Sequence, residues 1–149
     1  MTKGELAKEY FESGSNCSQA VALAFCEEMK LDEKTVSRQT IGFGGGMGRM
    51  REVCGTVSGM TYVLSNLYGE SNKAAVYSMV QTVSKKFQKE NGSIICRELL
   101  GLDKNGMPSP VPEPRTESYY KKRPCAELCR MAADILDDFI KEYNSKQNQ

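Results

Sequence analysis

A chain of 149 residues, 40% of them hydrophobic, closes one ordinary core and leaves too little for two, so a single domain over 1–149 is expected. Its 20 basic and 19 acidic residues nearly cancel, which excludes a global field for nucleic acid or an anionic membrane, and the absence of histidine removes mixed Cys/His zinc sets and Cys-x-x-Cys-His haem attachment. The stretch Met1–Glu9 carries charge where a signal peptide is apolar, and no later run reaches the roughly 18 to 20 apolar residues of a membrane span, so a soluble, cytoplasmic protein is expected.

Leu6, Ala7, Tyr10 and Phe11 recur at helical spacing and Gly14 ends them, predicting a short first helix. Asn16 suits the N-cap of a second, which carries Cys17, Ala20, Val21, Ala24 and Phe25 along or near one face and runs to about Met29. Asp32 caps a third with Val36 and Ile41, ending in the run Gly42-Phe-Gly-Gly-Gly-Met-Gly48. A fourth spans Val53 to Leu67, with Val57, Met60, Leu64 and Leu67 on one face and Gly69 closing it. A fifth follows Ser71 or Asn72 and presents Val76, Met79, Val80, Val83 and Phe87 before Asn91-Gly92. Ser93 caps a short segment, Ile94 to Leu100, stopped by Gly101. Prolines at 108, 110, 112 and 114 make 102–115 a proline-rich surface loop. Pro124 suits the first turn of a last helix, striped by Cys125, Leu128, Cys129, Ala132, Ile135, Leu136, Phe139 and Tyr143. No stretch alternates as a strand does. The fold class is all-α, a compact bundle of six or seven helices with a glycine-rich and a proline-rich loop.

Cys17, Cys54, Cys96 and Cys125 each fall in the first turn of a separate predicted helix, where unpaired N–H groups and the helix dipole favour a thiolate. None form a Cys-x-x-Cys knuckle, so the fold must bring them together. Arg49 and Arg51 precede Cys54, Arg97 follows Cys96, and Lys121, Lys122 and Arg123 precede Cys125, cations suited to holding thiol pKa values down. Cys26 lies nine residues after Cys17, and 100° per residue puts it on the far side of a continuous helix, as packing. Cys129, one turn below Cys125, either lines the site from beneath or belongs to the core. Free cysteine is also a common core residue, so buried packing is the alternative for the whole set.

At these residues the chain resembles the C_GCAxxG_C_C family of redox-active bacterial and archaeal proteins, over nearly its whole length. Asn16-Cys17-Ser-Gln-Ala20 resembles the family's first cysteine segment and Gly42-Phe-Gly-Gly-Gly-Met-Gly-Arg49 its glycine-rich approach. Cys54-Gly-Thr-Val-Ser-Gly59 stands where the central block belongs, though Glu52-Val53-Cys54-Gly55-Thr56 does not spell Gly-Cys-Ala. Ile95-Cys96-Arg-Glu-Leu-Leu-Gly101 and Pro124-Cys125 resemble the last two segments. The resemblance implies a helical domain with four gathered cysteines, and related domains beside haem-bearing electron-transfer modules, with the cysteines available to an iron-sulfur cluster.

The glycine run does not spell a phosphate loop, because Met47 stands where GxGxxG needs its third glycine and no strand precedes it. Gly44, Gly45 and Gly46 instead let backbone pass close to the cysteines or to a cofactor there, with N–H groups available to sulfur; a plain loop is the alternative. Met47, Met50 and Met60 read as core rather than soft-metal ligands, and Tyr119 to Arg123 as a solvated helix start. Asp137-Asp138 face solvent. Three functions stay open. The four cysteines act as thiol–disulfide or electron-transfer groups; or they ligate metal, a [2Fe–2S] cluster before zinc; or the chain is a helical interaction module with structural cysteines. The corresponding partners are a redox protein or a small thiol or disulfide, without nucleic acid or membrane; a homodimer is compatible with a domain of this size.

Overall fold

The computed structural model describes residues 1–102 and 108–148, so residues 103–107 of the proline-rich stretch lie outside the described residues. The helices are α1 Lys3–Glu12, α2 Cys17–Leu23, α3 Cys26–Met29, α4 Glu33–Thr40, α5 Gly55–Tyr68, α6 Lys73–Asn91, α7 Cys96–Leu99, α8 Glu117–Lys122 and α9 Cys125–Gln147. A 3-10 turn covers Ile41–Phe43, and among the described residues there is no extended strand. The all-α reading holds. Side chains fix most starts: Thr2 with Glu5 and Asn16 with Gln19 close capping boxes on α1 and α2, and Asp32, Asn72 and Thr116 accept the N3 amide of α4, α6 and α8. No helix among the described residues is long and apolar enough to cross a membrane.

α2 is the centre of the bundle. Every residue from Ser18 to Leu23 is buried, and the helix packs against α1, α4, α5 and α9. It can be surrounded because its residues are apolar or small except Gln19, whose amide donates to the Ser37 carbonyl and hydroxyl. α5 approaches it through Gly55 and Gly59, four residues apart on one face, where a Cβ at Gly59 would lie 3.0 Å from both the Ser18 carbonyl and Val21 Cβ. α9 lays Leu128, Cys129, Ala132, Ala133, Leu136 and Ile140 into the core, and α6 adds Met79, Val83 and Phe87.

Two elements differ from the periodicity. The predicted second helix breaks after Leu23, and Phe25, fully buried, becomes the N-cap of the short α3. The break is stabilised from α1: Lys3 Nζ donates to the freed Ala24 carbonyl at 3.0 Å and pairs with Glu28 at 2.7 Å. The second is α8, which forms because the prolines stop at 114 and Thr116 supplies a cap. Ahead of α5 and α7 the chain makes one isolated antiparallel bridge, Val53 with Ile95, flanked by Cys54 N–H to the Ile94 carbonyl at 2.8 Å and Cys96 N–H to the Glu52 carbonyl at 2.6 Å. In that pairing Cys54 and Cys96 fall on the same face, opposite to Val53 and Ile95.

Candidate functional site

Cys17, Cys96 and Cys125 each open a helix, and Cys54 is the N-cap of a fourth. All four line one cavity of about 340 Å³. Helix starts alone do not select them, because Cys26 also opens a helix, α3; it lies instead beside Glu33, Asp32 and Glu28, away from the cavity. The continuous-helix argument that set Cys26 apart does not describe the structure, because the helix is interrupted after Leu23, although Cys26 does not line the cavity. Cys129 is fully buried beneath the cavity, its Sγ 3.9 Å from the Cys17 carbonyl, and does not line it.

Cys17 stands in the middle of the set. Gly55 abuts it, so closely that a Cβ there would overlap Cys17 Sγ, which makes the close approach of α5 to α2 the device that seats Cys54 beside Cys17. From the other side the glycine-rich turn touches two thiols with consecutive residues. The Gly45 amide faces Cys17 and favours its charged form, and a Cβ on Gly46 would lie 2.7 Å from Cys96 Cβ. Gly44 and Gly45 line the cavity as well. That turn is tightly wound: Gly45, Gly46 and Gly48 have positive φ, and so do Met47, Arg49 and Arg51, with φ of 68°, 63° and 64°. Successive amides bond back across it, Arg51 N–H to the Gly45 carbonyl and Glu52 N–H to that of Gly46.

Of the cations noted in the sequence, Arg49, Arg51 and Arg123 reach the cavity, whereas Arg97, Lys121 and Lys122 do not line it. Arg51 Nη1 points at Cys96 Sγ from 3.7 Å. Arg115, at the end of the proline-rich stretch and unmarked by any spacing rule, also lines the cavity; it donates to the carbonyls of Phe11 and Ser15 and lies 4.2 Å over the Phe11 ring. Pro110 and Pro112 form part of the wall. Arg49 holds that segment through the Ser109 and Val111 carbonyls, and Glu113 ties it to Arg49 and Arg123. Met60 is core, while Met47 is 52% exposed.

The expectation of acidic thiols is corrected by burial. Desolvation pushes Cys17 and Cys54 above the ordinary thiol range and Cys125 up to about 12. Backbone amides on Cys17 and the Thr56 hydroxyl, 3.0 Å from Cys54 Sγ, oppose this without overcoming it. Neighbouring thiols push further, since each would repel another's charge. The resting site holds neutral Cys17, Cys54 and Cys125. Stability should accordingly fall as pH rises from about 9 towards 12, because the unfolded chain ionises these thiols first while the folded chain keeps them protonated. Urea midpoints taken across that window check this; an unchanged midpoint would contradict it.

Residues 15–139 match the family described as "Putative redox-active protein (C_GCAxxG_C_C)". The chain belongs to that family. No curated protein and no solved structure matches it. A soft metal would suit the family's donor chemistry here, four thiols facing one space. The spacing does not suit it: among the described residues no three Cys, Asp or Glu side chains stand together as a metal's ligands do.

Proposed function

We propose that this member of the family is a thiol–disulfide redox protein in which Cys17 attacks and Cys96 resolves. The observation that carries the reading is that four cysteines from four separate helix starts share one cavity with guanidinium groups. Cys17 lines the cavity and, as a residue, is more exposed than Cys96, which is 7% exposed. Adjacent glycines touch both, and Arg51 is placed to stabilise a Cys96 thiolate.

The Cys17 thiolate attacks one sulfur of a disulfide R–S–S–R′, forming Cys17–S–S–R and expelling R′S⁻, which takes up the proton that Cys17 released. The Cys96 thiolate then attacks the Cys17 sulfur of the mixed disulfide, forming Cys17–S–S–Cys96 and expelling RS⁻, which receives the Cys96 proton. Two electrons and two protons pass to the substrate. Cys54 and Cys125 line the same cavity and are not consumed in this exchange. Backbone N–H groups at Cys17 from Gly45 and Ser18 would hold the thiolate that each exchange requires.

Anaerobic thiol counting with peptide mapping after a stoichiometric disulfide tests this. A Cys17–Cys96 linked peptide is the expected product. Four thiols that stay free would overturn the reading, and a coloured, iron-bearing or zinc-bearing preparation whose four thiols resist the oxidant would replace it with a metal centre.

A further inference from the structure

The cavity walls hold four arginines, Arg49, Arg51, Arg115 and Arg123, against one carboxylate, Glu113. Arg49 and Arg123 share that carboxylate. Arg51 and Arg115 have no acidic partner within ion-pair reach among the described residues. Arg51 is 8% exposed, and among the described residues its side chain's one hydrogen bond goes to sulfur, a weak acceptor, at 3.7 Å. Arg115 is braced by two carbonyls and by the rings of Phe11 and Tyr119, 4.2 and 5.9 Å away, which fix its fork without cancelling its charge. An uncompensated guanidinium in a cavity is costly, and among the described residues no carboxylate lies within ion-pair reach to relieve it.

We infer that the substrate is a small anionic thiol or disulfide, whose carboxylate is held by Arg51 and Arg115 while its sulfur faces Cys17. Two planar forks suit a carboxylate, which accepts paired N–H donors. A cavity of about 340 Å³ suits a small molecule. The sulfur half of the inference rests on the thiol–disulfide reading; the anion half does not.

The two halves separate experimentally. Binding of 3,3′-thiodipropionate, a dicarboxylate thioether with no reducible bond, is measured by calorimetry on the reduced protein. Oxidation of the protein is then timed with 3,3′-dithiodipropionate, bis(2-hydroxyethyl) disulfide and cystamine, each rate divided by its rate with free cysteine. The thioether is expected to bind and to lose affinity about tenfold or more in Arg51→Gln and in Arg115→Gln, in keeping with a lost charge-assisted pair. The normalised rates are expected to run anionic, neutral, cationic, with the spread shrinking in both variants and in high salt. The salt series on the unaltered protein keeps the test decisive if a variant fails to fold. Equal normalised rates with no thioether binding overturn the anion inference and leave the thiol chemistry standing. Arginine-dependent thioether binding with no oxidation by any of the three overturns the thiol reading and leaves the anion site.

Discussion

A Cys96→Ser variant is expected to stop after the first exchange and accumulate one substrate half on Cys17. Cys17→Ser should form no adduct in the cavity. In both, turnover of a reducible disulfide falls at least about 100-fold, because one of the two sulfurs that must change hands is gone. Ser is close to Cys in shape, so helix content survives, with a stability change of about 1 kcal/mol or less for Cys17 and up to about 2 for the more buried Cys96. Cys26→Ser supplies the contrast: Cys26 sits among Glu28, Asp32 and Glu33 on another side of the bundle, so exchange should continue unaltered. Intact-mass analysis after a disulfide pulse reads all three. A Cys26 variant as impaired as the Cys17 variant would contradict the assignment.

Gly46→Ala is expected to be the most damaging change outside the cysteines. The residue has φ of 73°, and a Cβ there would lie 2.7 Å from Cys96 Cβ, 2.7 Å from the Glu52 nitrogen and 2.8 Å from Arg51 Cα. Two of these three neighbours are backbone and cannot swing away. Left-handed strain of about 1–2 kcal/mol joins overpacking of about 1–3 kcal/mol, a total of roughly 2–5 kcal/mol from a typical 5–15. Gly48→Ala isolates the first contribution, since Gly48 has φ of 59° but nothing within 4 Å, and should lose only about 1–2 kcal/mol. Urea unfolding measures both. Equal losses would show that the contact with Cys96 and its neighbours is not tight. Because the turn positions Cys96 and Arg51 together, Gly46→Ala should also slow exchange in whatever fraction remains folded.

The helices were legible where a cap and a stripe coincide: Asn16 before Cys17, Asp32 before α4, Asn72 before α6, and the stripe of α9 all lie where their residues predict. The break between α2 and α3 was not, because Val21 to Phe25 is apolar throughout and carries no glycine or proline; its stabilising partner, Lys3, comes from another helix. The four cysteines could be singled out by position, but their acidity could not, since burial depends on what packs over a residue. Arg115 was hidden for a similar reason: its place on the cavity comes from the path of the proline-rich segment, which no periodicity describes. The role of Gly55 and Gly59 was legible only as a block of family resemblance, and acquires its physical meaning once α5 is seen lying against Ser18 and Val21.

The cavity draws on segments near both ends of the polypeptide, from Cys17 to Cys125. A chain emerging from the ribosome would expose Cys17, Cys26, Cys54 and Cys96 before α9 could follow, and would have no finished pocket in which to sort them. Each thiol would then behave as an ordinary exposed one, open to whatever oxidant it met. The shared cavity thus forms only once α9 is in place, and a chain cut before Cys125 lacks it however many cysteines it already contains.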